Sequence, residues 1–294
     1  MFYRAVHTTE YTYAEPVSHC QSEAWLTPRR LLRQTAIETN IRVHPAPASI
    51  RARLDYFGNS VTRFEVLEPH DKLVVTASSV VEVEPRPLTI EFSPSWEEAR
   101  TILASVETEE TLAAFEFCCE SPFVALGPEL AAYAGSSFTP GKPLLTAVRD
   151  LMERIHREFK YEPKSTSIDT TVTEVMRQRR GVCQDFAHVM IGTLRSLGLA
   201  ARYVSGYLRS GANYQGAEAS HAWVSVFIPG TGWVDFDPTN NVIPSDGHLT
   251  LAFGRDYGDV TPLKGVTLGG GEHTVNVEVR VRPVGEPART AAGI

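Results

Sequence analysis

The sequence predicts an α+β protein with a β-sandwich at its N-terminus, a helical connector, and a core in which a buried helix precedes antiparallel strands. Three observations carry this reading. The first 87 residues alternate β-branched and aromatic side chains in short runs broken by Pro, Gly and Asn. Around residue 190 the period changes, and Phe186/Ala187, Met190/Ile191, Leu194 and Leu197 recur at three- and four-residue spacing. Beyond that the period returns to two, in His221–Ile228 and Trp233–Asp237, with Pro229-Gly230-Thr231-Gly232 as a turn between them.

Taken in order, Val6 to Tyr13 reads as a strand stopped by Pro16. Ala36 to Val43 reads as a second, with Ile37, Thr39, Ile41 and Val43 on one face. Asp55 to Ser60 is a turn signal joining Ile50–Leu54 to Val61–Val66 as a hairpin. Leu73 to Val83 completes the 1–87 region, which Pro85 and Pro87 close. Residues 88–143 read as the connector, with helical composition from Trp96 to Glu120 and a boundary at Pro140-Gly141-Lys142-Pro143. The core, 144–247, opens on an amphipathic helix carrying Leu144/Leu145, Val148, Leu151/Met152, Ile155 and Phe159. A short helix over Thr171–Arg179 leads to the buried helix, for which Gly198 is a stop. Ala200–Leu208 reads as a strand, and Ser210–Ala219 as a polar loop beside a cleft. Residues 248–294 supply strands at Leu249–Phe253 and Thr274–Arg282, then a loose tail from about 284.

Composition narrows the function. At 294 residues and a formal charge of −7, the chain is an ordinary globular protein without the basic face of a nucleic-acid binder. Arg29, Arg30 and Arg33 read as a solvated face. Met1 to His7 lacks the apolar centre of a signal peptide, and no apolar run reaches membrane-spanning length. The four cysteines, at 20, 118, 119 and 183, form no CxxC pair and no disulfide framework. Cys118 and Cys119 sit in apolar context and are expected to fill core. These features imply a reduced, cytoplasmic protein. His7, His19, His44 and His70 share no ligand spacing, and no phosphate-cradling glycine loop is present. No metal or cofactor is therefore expected.

Cys183 falls in the first turn of the buried helix, just after Gly181. Free N–H groups and the helix dipole there favour an anion, which lowers a thiol's pKa toward the nucleophilic thiolate. Arg179 and Arg180 push the same way if they face it. A free cysteine is more often a small buried hydrophobe, so the reading depends on partners. A cysteine acyltransferase or hydrolase needs an imidazole beside the thiol and an acceptor to orient that imidazole. His221 on one strand and Asp237 on the next meet this if Phe227, not Ile228, pairs with Trp233. The longer loop then puts Trp223 opposite Asp237 and His221 on the diagonal, within side-chain reach. Asp235 has the same parity and competes for the role.

Three segments then carry a family resemblance: Gly181 to His188 with Leu194 to Tyr207, His221-Ala222-Trp223-Val224, and Gly232 to Thr239 containing Asp235-Phe236-Asp237-Pro238. Over roughly 150–245 the chain resembles the bacterial transglutaminase-like core, whose site is a papain-like Cys-His-Asp triad. His7 to Tyr13, Leu26-Thr27-Pro28-Arg29 and Asp55-Tyr56-Phe57-Gly58-Asn59 are similar to the β-rich domain preceding that core. Gly254 to Val260 with Gly265-Val266 resembles the segment C-terminal to that core in the family. The resemblance implies Cys183 as nucleophile, His221 as acid/base and Asp237 as orienter. It implies a thioester acyl-enzyme formed on an amide of a peptide or protein substrate, resolved by water or an amine. Hydrolysis is preferred, because no calcium-loop pattern like that of the animal cross-linking enzymes is evident. Transamidation, acyl transfer from a thioester donor and a non-catalytic binding module on the same core are the competing readings. Trp223 and Tyr161 are expected to line the substrate pocket, Tyr161 also as a second oxyanion donor. His188, five positions past Cys183, is expected to be a packed histidine.

Overall fold

The computed structural model describes residues 1–85, 93–211 and 214–286. The N-terminal region forms β1 (Phe2–Ala24), β2 (Gln34–His44), β3 (Ser49–Leu54), β4 (Ser60–Val66) and β5 (His70–Val83). The connector holds α1 (Trp96–Ser105), α2 (Glu109–Phe115) and α3 (Pro128–Ala134). Next come α4 (Leu144–Glu158), β6 (Lys160–Tyr161), α5 (Val172–Gln178), β7 (Arg180–Gly181) and α6 (Cys183–Arg195). The chain ends with β8 (Ala201–Leu208), β9 (His221–Ile228), β10 (Gly232–Phe236), β11 (His248–Gly254), β12 (Leu263–Gly269) and β13 (His273–Val284).

The first sheet is organised by β1. Its first half pairs with β5 on one side and β13 on the other, and its second half with β4 and β12. Pro16 does not end the strand as its sequence suggests. The register against β5 slips between Thr12 and Val17, so the proline occupies an irregularity where no ladder N–H is required. A similar slip between Ala36 and Glu38 turns Ile37 outward, leaving Ile41 and Val43 to pack inward. A core of Tyr13, Val17, Phe64, Val66, Leu73 and Val75 draws on both halves of the sheet.

The connector departs from a continuous helix. Val106 takes a left-handed turn (φ 50°), and Thr108 then caps α2 by accepting the Thr111 N–H at 3.1 Å. The α3 helix, with proline in its first turn, was not legible from periodicity over only seven residues. Cys118 is partly buried and Cys119 exposed, so the pair does not fill core as expected. The boundary placed at 87/88 and the last residues of the tail lie outside the described residues.

The second sheet has the order β10-β9-β8-β11, antiparallel throughout, with α6 packed on it. Apart from Gln184, α6 is buried along its whole length, because α3, α4 and α5 cover the side away from the sheet. Even Arg195 is enclosed, its guanidinium donating to the carbonyls of Cys119, Ala201 and Arg255 and to Ser121 Oγ. The C-terminal stretch divides its strands between the two sheets. β11 completes the second, while β12 and β13 return to flank β1 in the first.

That division leaves β11 at a sheet edge, and side chains from the first sheet and its turns complete it. Asn59 Nδ2 donates to the Phe253 carbonyl at 2.8 Å, and Asn59 Oδ1 accepts the Phe253 N–H at 2.9 Å. Gln34 does the same at Thr250, donating at 2.7 Å and accepting at 2.8 Å. Arg29 is not a solvated charge. It donates to Asn59 Oδ1 at 2.6 Å and to the Phe57 carbonyl at 2.8 Å. Among the described residues no helix is long and apolar enough to cross a membrane.

Asn59 is completely buried and its Nδ2 also donates to Asp55 Oδ2 at 2.9 Å, so Asn59→Ala would strip partners from Phe253, Arg29 and Asp55 at once. Unfilled buried donors and acceptors are costly, and the expected loss is roughly 3 kcal/mol by urea denaturation. A loss below about 0.5 kcal/mol, the scale of an ordinary surface substitution, would show that the clamp contributes nothing.

Candidate active site

The start of α6 is fixed by a carboxylate and a missing side chain. Asp185 Oδ2 accepts the Val182 N–H and the Thr166 hydroxyl, both at 2.7 Å, closing the helix's first turn. A Cβ on Gly181 would come within 2.5 Å of that same oxygen, so only glycine lets the carboxylate close in. Gly181 is in turn held by the short parallel pair of β6 and β7, opposite Tyr161. Cys183 is thereby set at the helix N-terminus with 9% of its surface exposed.

The β9–β10 register is the one parity requires. Trp233 pairs with Phe227, Asp235 with Ser225 and Phe236 with Val224. Asp237, one residue past β10, reaches His221 diagonally, and His221 Nε2 lies 2.9 Å from Asp237 Oδ2. Asp235 is otherwise engaged. It accepts the Trp223 indole N–H at 3.2 Å. The two aspartates therefore separate cleanly, one against the imidazole and one against the indole.

His221 and Asp237 are buried, with no exposed side-chain surface. Burial alone lowers the histidine's pKa, but the charges of Asp237 and Cys183 and the hydrogen bond with Asp237 outweigh it, and the ring is pushed up to about 10. For Asp237, burial acts upward and is overcome by His221 first and His248 next, holding the carboxyl well below its usual range. His221 Nδ1, the nitrogen not committed to Asp237, is buried and makes no complete hydrogen bond among the described residues. A cationic imidazole between a carboxylate and a thiol stabilises the thiolate. This is the electrostatic arrangement cysteine acyl transfer uses.

Around this line lie Tyr161, Trp223 and His188. Tyr161 is on the Cys183 side. A Cβ at Gly216 would lie 3.0 Å from His221 Nδ1 and 3.5 Å from Tyr161 Oη, so the 214–219 loop passes against both. Burial, then the Cys183 charge, pushes the Tyr161 phenol up to about 12. Trp223, expected in the substrate pocket, has no exposed surface. Its ring stacks on His221 at 28° and 6.1 Å and spans Gly206, where a Cβ would collide with it. His188 is a packed histidine, stacked with Phe123 and accepting the Tyr257 N–H at 3.2 Å. Burial holds it down to about 4.

Two neighbours of Asp237 escaped the sequence reading. His248 Nε2 lies 3.1 Å from Asp237 Oδ2, and Asn240 Nδ2 donates to the same oxygen at 2.9 Å. The Asp-Pro-Thr-Asn turn was a signal for Asn240, since backbone donors three residues on are what such a turn offers a carboxylate. His248 gave none. His221, Asp237 and His248 bring ligand-type atoms within 4.8 Å of one another and could hold a divalent cation by giving up the two bridging protons. Hydrogen bonding already accounts for their arrangement.

A cysteine-bearing helix packed on an antiparallel sheet, with histidine on one strand and aspartate just past the end of the next, defines the papain-like cysteine fold class. Within it, the chain belongs to the bacterial transglutaminase-like family. Residues 3–82 match the bacterial transglutaminase-like N-terminal region, and residues 131–238 the transglutaminase-like superfamily. The chain is 39% identical to an uncharacterised protein of Mycobacterium tuberculosis over 297 positions, covering 96% of this chain and 92% of that one. A shorter stretch of 106 residues, 33% of this chain and 16% of the relative, is 35% identical to the protein-glutamine gamma-glutamyltransferase of Pseudomonas aeruginosa. Among solved structures, a candidate cysteine protease of Cytophaga hutchinsonii shares the fold with a TM-score of 0.75. That match covers 96% of this chain and 90% of the other at 21% identity.

The raised His221 pKa has a consequence for stability. In the unfolded chain the imidazole titrates near 6.5, whereas in the fold it keeps its proton to about 10. The stabilisation is therefore complete below pH 6.5 and is lost as the pH climbs toward 10. Asp237 acts in the opposite sense, contributing above its ordinary 3.8 and losing its contribution only in stronger acid. The urea-denaturation gap between wild type and His221→Gln should be widest near pH 5–6 and narrow by pH 10. A gap that widens with pH would contradict the ion-pair assignment.

Proposed function

We propose that the protein is a cysteine-dependent amide or peptide hydrolase acting through Cys183, His221 and Asp237. The observation that carries this reading is the buried His221 ring, bonded at Nε2 to Asp237 and acted on by Cys183 at the N-terminus of α6. In this mechanism the Cys183 thiolate attacks the amide carbonyl carbon. The oxyanion that forms lies toward the Cys183 backbone N–H, a free donor of the first helical turn. The C–N bond breaks as His221 gives its proton to the leaving amine, leaving a thioester on Cys183. Neutral His221 then takes a proton from water, hydroxide adds to the thioester, and collapse releases the acid and the thiolate. Tyr161, beside both Cys183 and His221, belongs to the substrate side. Trp223 supports the imidazole from behind.

The similarity of a third of the chain to a protein-glutamine gamma-glutamyltransferase supports a second reading, in which an amine replaces water at the thioester. The chemistry up to that point is the same. Four unpaired thiols favour a reducing compartment such as the cytoplasm.

Iodoacetamide alkylation near pH 6, read site by site by mass spectrometry, tests the ion pair. Cys183 should react at least about tenfold faster than exposed Cys119 and lose that advantage in His221→Ala. Cleavage of a mixed fluorogenic peptide library should fall by roughly 10⁴-fold in Cys183→Ala. Adding a primary amine then separates hydrolysis from transfer by whether acid or amide product accumulates. A Cys183 no faster than Cys119 and indifferent to His221 would leave the binding-module reading in place.

A further inference from the structure

Asp237 carries more hydrogen bonds than orienting one imidazole requires. Oδ1 accepts the backbone N–H groups of Thr239 at 2.9 Å and Asn240 at 3.1 Å. Oδ2 takes Asn240 Nδ2 at 2.9 Å and two imidazoles, His221 at 2.9 Å and His248 at 3.1 Å. The second imidazole arrives from the opposite side of β8, since the strand order is β10-β9-β8-β11. His248 lies across from Leu208 on β8, and His221 across from Gly206. The missing side chain at Gly206 lets the Trp223 ring cross β8 and meet the His248 ring edge-on, at 5.2 Å and 87°. The same indole stacks with His221 at 6.1 Å and 28°. The two histidines thus share one carboxylate oxygen and one indole neighbour, and their own ring centroids lie 6.3 Å apart at 62°.

We infer that His248 is a positioning residue, fixing His221 through Asp237 Oδ2 and the Trp223 ring; this rests on the acyl-enzyme reading above. The chemistry gives it a distinct task. While His221 is cationic it neutralises Asp237. Once His221 has passed its Nδ1 proton to the leaving amine, its Nε2–H stays on Asp237, but the fully buried carboxylate loses its counter-charge. A buried carboxylate without a counter-charge depends on every donor it has, and with one donor fewer it would shift and carry His221 out of alignment before water attacks. His248 takes no part in the proton transfer, so its Nε2–H stays on Asp237 through both half-reactions. Because the acceptor is a carboxylate, Nε2 is the protonated nitrogen of His248. Its Nδ1 is buried and without a partner among the described residues, so no other hydrogen bond there holds the ring. Tyr214 packs against it at 5.5 Å.

The test combines the ring-proton spectrum of isotope-labelled histidine with Cys183 alkylation at pH 6, both with a chelator present. Wild type, His248→Leu and His248→Gln are compared, the glutamine amide standing in for Nε2–H. Two carboxylate-bound Nε2–H resonances are expected in wild type. In His248→Leu one should vanish, the His221 resonance should move, and alkylation should slow about tenfold. His248→Gln should restore the His221 resonance and the rate. An unmoved His221 resonance in His248→Leu overturns the inference. So does a folded His248→Gln in which that resonance is displaced as far as in the leucine variant, which keeps the test decisive if His248→Leu does not fold. If Cys183 is unreactive in wild type yet the His221 resonance still responds to His248, the hydrolase reading fails while the positioning contact stands.

Discussion

The Asp237 carboxylate is the constraint on which the site depends. It has no exposed surface and would be untenable there without donors on both oxygens. Its two backbone donors come from the turn that Pro238 initiates, and its side-chain donors come from β9, β11 and the turn itself. Three separate pieces of chain are thus committed to one charged group. The charge acts strongly on the imidazole because it is buried. In a low dielectric it holds the His221 proton far above the pH at which a free imidazole would release it. The same carboxylate on the surface would be screened into irrelevance.

Around that centre, the two sheets are arranged so that β11 cannot drift. β11 brings His248 to Asp237, yet it is an edge strand and would offer open N–H and C=O groups. Asn59 and Gln34 occupy those groups with side-chain amides, and Arg29 braces Asn59. The N-terminal sheet therefore reaches the second sheet through polar pairs at particular atoms as well as through packed apolar surface. The larger hydrophobic core, which joins Tyr3, Ala5 and Val81 of the first sheet to the helices and strands of the second, supplies the non-directional part of the same attachment.

Glycine works differently at the two places where it matters here. At Gly181 it admits the Asp185 carboxylate, which closes the first turn of α6 beside Cys183. At Gly206 it clears a path for an indole across a strand, and so allows His221 and His248 to share one wall. Both are close-approach glycines, needed for the space a Cβ would fill.

Sequence alone determined what is local or periodic. A thiol at a helix start and the change of period from two to 3.6 and back are set by residues within a few positions of one another, while the sequence leaves the β9–β10 register between two pairings. The three motifs also sufficed to read the family. Tertiary structure decided what depends on distant pairing. His248 meets Asp237 only because β11 lies two strands from β9. Asn59 looked like an ordinary turn residue until β11 arrived beside it from 194 positions away. Pro16 sits within a strand because β5 and β12 accommodate it with register slips, and β12 and β13 complete a sheet begun at the opposite end of the chain. Such contacts leave no periodicity in sequence. Each is one residue meeting another through folding, with free energy that neither neighbourhood encodes by itself.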